Sequence, residues 1–203
     1  MGKISVNKLW DLLEVFLKKA VFLHKMPGKG SGRGENMRLF LAIRLTPELK
    51  GALIDVQSAW YDMGVRGRFT PEENLHLTLA FIGEYPDPEA VLDALKAVSF
   101  APIPLTPDGI GAFGDLWWAG VSGGPALTGA ARRVRRALAE ADIPFDRKRF
   151  SPHITLLRRA SVSSPPPVAL APVSMSADAI TLFRSDRGKN GMLYTELGSI
   201  RAN

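Results

Sequence analysis

The sequence predicts a mixed α+β fold, because strand-like and helix-like patterns alternate from residue 37 to the end. Apolar runs typical of strands occur at 38–45, 75–82, 117–121, 150–158, 179–183 and 192–197. Two helix starts combine a capping side chain, a proline and an acid, at Thr46-Pro47-Glu48 and Asp87-Pro88-Glu89. A third helix is expected from Pro125 to about Ala141. Several connections have hairpin length, and this mixture favours α+β.

The composition is that of an ordinary globular protein, with 46% hydrophobic and 23% charged residues among 203. The chain has no cysteine, which excludes disulfides, thiolate metal sites and a cysteine nucleophile. The lack of cysteine is compatible with a reducing compartment, and we expect a cytoplasmic protein. No apolar run is long enough to cross a membrane, so we expect no membrane partner. We also expect a monomer.

The formal net charge of +6 suggests an anionic partner, but its distribution weakens that inference. Residues 1–36 contain seven Lys and Arg against three acids, which leaves only +2 on residues 37–203. The total charge is therefore poor evidence for nucleic-acid binding by the main domain, and local cations matter more.

Residues 1–36 are predicted to be an extension of the folded domain, 37–203. Apolar residues from Leu9 to Leu23 recur at helical spacing, and a glycine-rich linker follows at 26–34. Met37 could be the natural start of the domain, with the extension arising from an upstream start or a fusion. A helix that docks on another surface is favoured here over a membrane-binding helix.

Two of the three histidines open the same four-residue motif, His76-Leu77-Thr78-Leu79 and His153-Ile154-Thr155-Leu156. Alternate side chains on a strand share a face, so each copy places an imidazole beside a hydroxyl. On the opposite face of the first strand we expect core residues, namely Leu75, Leu77, Leu79 and Phe81.

Two such pairs that face each other are suited to phosphoester chemistry. One neutral imidazole can accept a proton while a charged one donates a proton, since histidine titrates near neutral pH. Threonine hydroxyls can hydrogen-bond the non-bridging phosphate oxygens. The alternative, two structural histidines satisfied by hydroxyls, is less favoured for a matched pair. A zinc site is disfavoured because catalytic zinc usually needs three protein ligands, so we expect no metal and no cofactor.

At these motifs the sequence resembles the 2H phosphoesterase superfamily, in particular its RNA 2′,3′-cyclic phosphodiesterases, also called 2′–5′ RNA ligases. The resemblance covers most of residues 37–203, at 37–43, 71–83, 109–114, 150–158, 182–185 and 194–197. It implies a bilobal fold with two pseudo-symmetric antiparallel-sheet lobes, outer helices and a central cleft. It also implies metal-independent hydrolysis of an RNA or nucleoside 2′,3′-cyclic phosphate to a 2′-phosphate.

The resemblance also assigns roles to residues. His76 would protonate the departing 3′ oxygen and His153 would activate water, while Thr78 and Thr155 would hold the phosphate. Arg158 stands where the family motif ends in arginine; it would add charge near the phosphate or form a surface salt bridge. Arg68 is a weaker candidate of the same kind.

Two alternatives to hydrolysis stay open. One is a nucleotide- or RNA-end-binding module on the same fold without turnover, and the other is 2′–5′ RNA ligation as the reverse reaction. The sequence departs from the family pattern at 114–118, and we expect this departure to alter the wall of the cleft.

The positions of other basic and aromatic residues along the predicted elements suggest where they lie. Arg132, Arg133, Arg135 and Arg136 are predicted to form a solvated helix face. A basic run at 147–149 precedes the second motif and is better placed to steer an anionic end. Of Trp117 and Trp118, which alternate on a strand, one is expected in the core.

Overall fold

Each histidine motif lies in its own antiparallel β-sheet, in a computed structural model that describes residues 35–189 and 191–203. The nine strands of the described residues are β1 (Met37–Arg44), β2 (Arg68–Phe69), β3 (His76–Tyr85), β4 (Ile103–Phe113), β5 (Leu116–Ser122), β6 (His153–Arg158), β7 (Met175–Ala177), β8 (Ala179–Gly188) and β9 (Gly191–Arg201). The first sheet has the order β3-β1-β8-β9 and contains His76. The second has the order β2-β6-β5-β4-β7 and contains His153. This arrangement confirms the predicted fold class.

In the part of the chain that the structure describes, three α-helices accompany the sheets: α1 (Pro47–Asp62), α2 (Pro88–Leu95) and α3 (Gly124–Glu140). The Thr46 hydroxyl accepts from the Leu49 amide at 3.4 Å, and the Asp87 carboxylate accepts from the Ala90 amide at 2.9 Å. Both predicted helix starts are therefore confirmed. In α1 a stripe at helical spacing is buried, formed by Leu49, Leu53, Val56 and Trp60, and Trp60 packs edge-on against Trp117 of β5 at 5.0 Å.

Along β3 the predicted alternation holds only as far as Leu79. Leu75, Leu77 and Leu79 are buried as expected. The pairing with β1 then shifts twice, between Leu41 and Ala42 and again between Leu39 and Phe40 of β1. These irregularities reverse the side-chain faces, so Ile82 enters the core while Phe81 is half-buried beneath the Arg38 guanidinium at 4.9 Å. The expectation that Phe81 is a core residue was wrong.

The sequence pattern does not predict three of the observed strands, β2, β4 and β7. β4 covers a segment with Pro104, Pro107 and two glycines, a composition that argues against a strand. Its pairing with β5 is irregular between Pro107 and Ile110, which accommodates that composition. β2 has two residues and β7 has three, too few for a periodic signal.

One arginine of α3 links the two motif regions, contrary to the predicted solvated face. Arg132, Arg133 and Arg136 are exposed, as expected. Arg135 is half-buried, and its guanidinium donates to the Leu79 carbonyl at 3.1 Å and to the Lys148 carbonyl at 2.6 Å. The Asp146 amide also donates to the Phe81 carbonyl at 2.8 Å. These bonds fix the segment that leads into β6 against β3.

The predicted helix at 1–25 and the linker lie outside the described residues, and the domain boundary at residue 37 stays a prediction. Within 35–189 and 191–203, no helix has the length and apolar character needed to span a membrane.

Glycine substitutions test how closely the strands around His153 pack. A Cβ at Gly120, which pairs with His153, would collide with the backbone carbonyl of Asp108 on β4. We expect Gly120→Ala to lower the free energy of unfolding by about 1–3 kcal/mol, as for other overpacked sites. Gly51→Ala in α1 is the matched control, because no atom lies within 4 Å of its Cβ. It should raise the free energy of unfolding by about 0.5–1 kcal/mol, measured by urea denaturation. Equal stability of the two variants would contradict this packing.

Candidate active site

A backbone carbonyl two residues earlier fixes the orientation of the His76 ring. His76 Nδ1 lies 2.7 Å from the Asn74 carbonyl oxygen. Because a carbonyl oxygen can only accept, Nδ1 carries the hydrogen. In the neutral ring Nε2 is then an acceptor, and the Thr78 hydroxyl donates to it at 3.0 Å. The two polar residues of the first motif therefore act as a unit.

His153 repeats this arrangement on the second sheet. Its Nδ1 lies 2.8 Å from the carbonyl oxygen of Ser151, again two residues earlier. The second imidazole is therefore the same tautomer, and its Nε2 is also the available acceptor. Thr155 follows on the same face of β6 and is half-buried like His153, while Ile154 and Leu156 are buried. The predicted alternation in the second motif is confirmed.

The two motifs lie close together, because their strands, β3 and β6, contact each other. The charge of His153 contributes to lowering the pKa of His76, and the charge of Arg158 lowers the pKa of both histidines. Such effects fall off with distance, so the structure brings His76, His153 and Arg158 to one site. Among the described residues no carboxylate forms an ion pair with Arg158, so the surface salt bridge has no support.

Burial is the largest cause of the lowered pKa of each histidine, because it penalises the charged ring. The bonds to the Asn74 and Ser151 carbonyls oppose that effect, and the Arg158 charge adds to it. The neutral form of both rings therefore still predominates at pH 6.5, the usual pKa of histidine. An anion bound between the rings would raise both pKa values again.

Aromatic rings flank both histidines, and the sequence pattern does not predict these contacts. The His76 ring centroid lies 4.9 Å from Phe40 and 5.3 Å from Tyr194. The His153 ring centroid lies 5.6 Å from Phe113 and 6.1 Å from Trp118. Phe40 and Tyr194 lie in segments that carry the family resemblance, but nothing in the sequence indicates which ring meets which histidine.

The two adjacent tryptophans divide as expected. Trp117 is fully buried, which confirms that one of the pair belongs to the core. Trp118 is half-buried and lies against Gly111 of β4, where a Cβ would collide with its ring. Glycine at position 111 therefore lets the indole lie directly against β4, where its plane is tilted by 56° to the His153 ring.

The other cations proposed from the sequence, Arg68 and the basic run at 147–149, lie on β2 and in the segment before β6. Arg68 on β2 pairs with Arg158 on β6, and both are exposed. Arg147 and Arg149 are exposed, whereas Lys148 is half-buried and its amide donates to the Asp146 carboxylate at 3.0 Å. The described residues contain no group of three or more His, Cys, Asp or Glu arranged to hold a metal ion.

Comparisons with known proteins agree with this geometry. The sequence profile of the 2′-5′ RNA ligase superfamily matches residues 49–189, more than half of the chain. The chain belongs to the 2′-5′ RNA ligase superfamily. This membership confirms the resemblance drawn from the two motifs.

Several similar proteins are named for their activity. An Escherichia coli RNA 2′,3′-cyclic phosphodiesterase is 34% identical over 80% of this chain and 95% of the relative. A Geobacillus stearothermophilus protein of the same name is 32% identical over 74% of this chain, which spans only 52% of that relative. The crystal structure of E. coli LigT complexed with 3′-AMP superposes with a TM-score of 0.69 at 29% identity, covering 83% of this chain and 99% of LigT.

The lowered histidine pKa values predict a pH-dependent stability. The unfolded chain, with pKa values near 6.5, binds more protons than the folded protein below that pH. The free energy of unfolding should therefore fall as the pH drops from about 7 toward the folded pKa values. A His76→Gln, His153→Gln double variant should lose less stability over the same range, measured by urea denaturation from pH 5 to 7.5. Identical slopes for the two proteins would contradict the lowered pKa values.

Proposed function

We propose that this protein hydrolyses 2′,3′-cyclic phosphates of RNA ends or nucleosides to 2′-phosphates, with His76 and His153 as an acid–base pair. The observation that carries the proposal is the matched pair of imidazoles, each held at Nδ1 by a carbonyl and both close to Arg158. The names of the relatives support the activity. Solved structures of LigT with 3′-AMP, ATP and phosphate support a phosphate-bearing ligand.

Hydrolysis needs one proton removed and one proton delivered. His153 Nε2 accepts a proton from water as the water oxygen attacks phosphorus. The bond from phosphorus to the 3′ oxygen breaks, and protonated His76 donates the proton from Nε2 to that oxygen. The phosphate stays on the 2′ oxygen, and a second proton exchange with solvent restores the pair.

Three further side chains act on the phosphoryl oxygens in this proposal. The hydroxyls of Thr78 and Thr155 donate hydrogen bonds, and Arg158 supplies a positive charge. The proposed acid must be protonated, but burial lowers the pKa of His76 in the free protein and favours its neutral form. A bound anion raises the pKa of His76 and so provides the protonated acid.

Metal independence is part of the proposal, because the histidine pair and Arg158 supply the proton transfers and the charge. Residues 37–203 are proposed as the catalytic domain. The cytoplasmic location and the monomeric state stay predictions.

Replacement of either histidine tests the mechanism. We expect His76→Ala and His153→Ala each to lower kcat for adenosine 2′,3′-cyclic phosphate by about 10²–10⁴-fold, the usual effect of a lost general acid or base. Product analysis should identify adenosine 2′-phosphate, and EDTA should leave the rate unchanged. Lys96→Ala, which removes an exposed ion pair with Asp93 at the C-terminal end of α2, is the control and should keep full activity. A variant that retains wild-type turnover would remove that histidine from the mechanism, and nucleotide binding without turnover by the wild type would favour the binding module.

The rate should follow a bell-shaped pH profile with two different optima. Both free-protein pKa values lie below 6.5, so kcat/KM, which reports the free enzyme, should be maximal below pH 6.5. The bound phosphate raises both values, so kcat should be maximal at a higher pH than kcat/KM. Initial rates from pH 4.5 to 9 measure both profiles. A kcat/KM optimum above pH 8 would contradict the role of the lowered pKa values.

A further inference from the structure

The two imidazoles lie on separate sheets, so their spacing depends on what holds β3 and β6 together. His76 is on β3 in the first sheet and His153 is on β6 in the second, and among the described strands no ladder of backbone hydrogen bonds joins these two. Proton transfer at one phosphorus needs both rings in place, and a misplacement of about 1 Å can cost about 100-fold in rate. The bonds that set the distance between the two strands therefore bear on the mechanism.

β3 is an edge strand, so the carbonyls on its outer side have no partner within the first sheet. Two carbonyls of β3 accept from outside that sheet. The Leu79 carbonyl accepts from Arg135 Nε at 3.1 Å, and the Phe81 carbonyl accepts from the Asp146 amide at 2.8 Å. One donor lies on α3 and the other on the segment that follows this helix. The part of the chain that leads to the second motif is therefore bonded to β3 from the last residue of the first motif onward.

The same guanidinium also holds the approach to the second motif. Arg135 Nη1 donates to the Lys148 carbonyl at 2.6 Å, and the guanidinium lies over the Phe150 ring at 5.6 Å. Phe150 is followed directly by Ser151, whose carbonyl lies 2.8 Å from Nδ1 of His153. One side chain thus contacts the end of the first motif and the segment that orients the second imidazole.

Arg135 differs from an ordinary surface cation. It is half-buried, and burial lowers its pKa, an effect that the charge of Asp146 opposes. Within 35–189 and 191–203 it forms no ion pair, and its donors bond backbone carbonyls instead. Arginine has several donors in a rigid planar fork, so it can bond two carbonyls at fixed positions, whereas lysine carries a single flexible ammonium. The residue type therefore suits a spacer between two fixed points.

We propose that Arg135 is a positioning residue for the acid–base pair, and that its bonds to one carbonyl of each motif region set the distance between the His76 and His153 rings. It acts through the two strands and not on the substrate. Without the guanidinium, each motif keeps its own imidazole, hydroxyl and supporting carbonyl, but the two imidazoles lose the spacing that one phosphorus requires. The inference rests on the proposed function, to which it adds a residue outside both motifs.

The kinetics of Arg135→Met test this inference, because methionine is a long side chain without a hydrogen-bond donor. We expect kcat for adenosine 2′,3′-cyclic phosphate to fall by about 10- to 100-fold, as for a misplaced reacting group. KM should change by less than about threefold, because one motif with Arg158 can still hold the phosphate and only proton transfer needs both rings. Arg136→Met is the matched control, since Arg136 is the exposed neighbour on α3 and pairs with Glu140 at 2.7 Å. It should leave kcat and KM unchanged. Wild-type kcat in Arg135→Met, or a loss confined to KM, would overturn the inference.

A double-variant cycle on the pKa of His76 separates positioning from a merely structural role. The charge of His153 contributes to lowering the pKa of His76, so His153→Gln should raise it. In the Arg135→Met background the same replacement should have an effect smaller by at least about a fifth, because the interaction between two charges weakens with distance. The chain has only three histidines, so NMR titration of the ring protons can follow His76 alone. In the Arg136→Met background the effect should equal that in the wild type.

The titration needs no turnover, so it also separates this inference from the proposed function. If the wild type hydrolyses no cyclic phosphate, the proposed function fails, and the cycle alone decides whether Arg135 sets the spacing. An undiminished effect of His153→Gln in Arg135→Met would show that the rings keep their distance, and would overturn the inference even where kcat had fallen. If Arg135→Met shows no unfolding transition in urea, Arg135→Lys replaces it in both experiments, because lysine keeps the charge but lacks the fork. Wild-type kcat and an undiminished pKa effect in that variant would overturn the inference equally.

Discussion

The hydrogen bond from each imidazole Nδ1 to a carbonyl two residues earlier is the constraint on which the site depends. It fixes the tautomer of His76 and His153, so that Nε2 is the nitrogen left for proton transfer. The partner is backbone, held where the chain enters each strand, so the ring orientation is built into the sheet. On the first sheet the Asn74 side chain adds rigidity by donating to the Met192 carbonyl at 2.8 Å, which ties this entry to β9.

The site combines burial with a nearby cation, and both lower the histidine pKa values. This cost to the protonated rings is the physical reason why the free protein favours neutral imidazoles and why an anionic ligand is needed to charge one of them. A phosphate placed beside Arg158 and both rings would be attracted by all three groups. The electrostatics thus link phosphate binding to preparation of the proposed acid.

Two side chains on the helices, both outside the motifs, hold the strands of the motifs in place. Gln57 on α1 donates to the Leu156 carbonyl at 2.8 Å and to the Thr70 carbonyl at 3.0 Å, so it holds the strand of His153 from the helix side. Arg135 on α3 does the same for β3 and the segment before β6. Both are polar side chains that bond backbone carbonyls, but Gln57 anchors β6 to α1, whereas Arg135 joins the two motif regions.

The sequence by itself determined the two motifs, their alternating faces up to Leu79, both helix starts and the α+β class, because each depends on neighbours within a few positions. Only the tertiary structure decided the irregular pairing of β3, the proline-containing strand β4, the inward turn of Arg135 and the aromatic partners of each histidine. These features depend on which strand lies alongside and in what register, and residues far apart in the chain set that register. Phe40 and Tyr194 are 154 positions apart, yet both reach His76 because β1 and β9 belong to the same sheet.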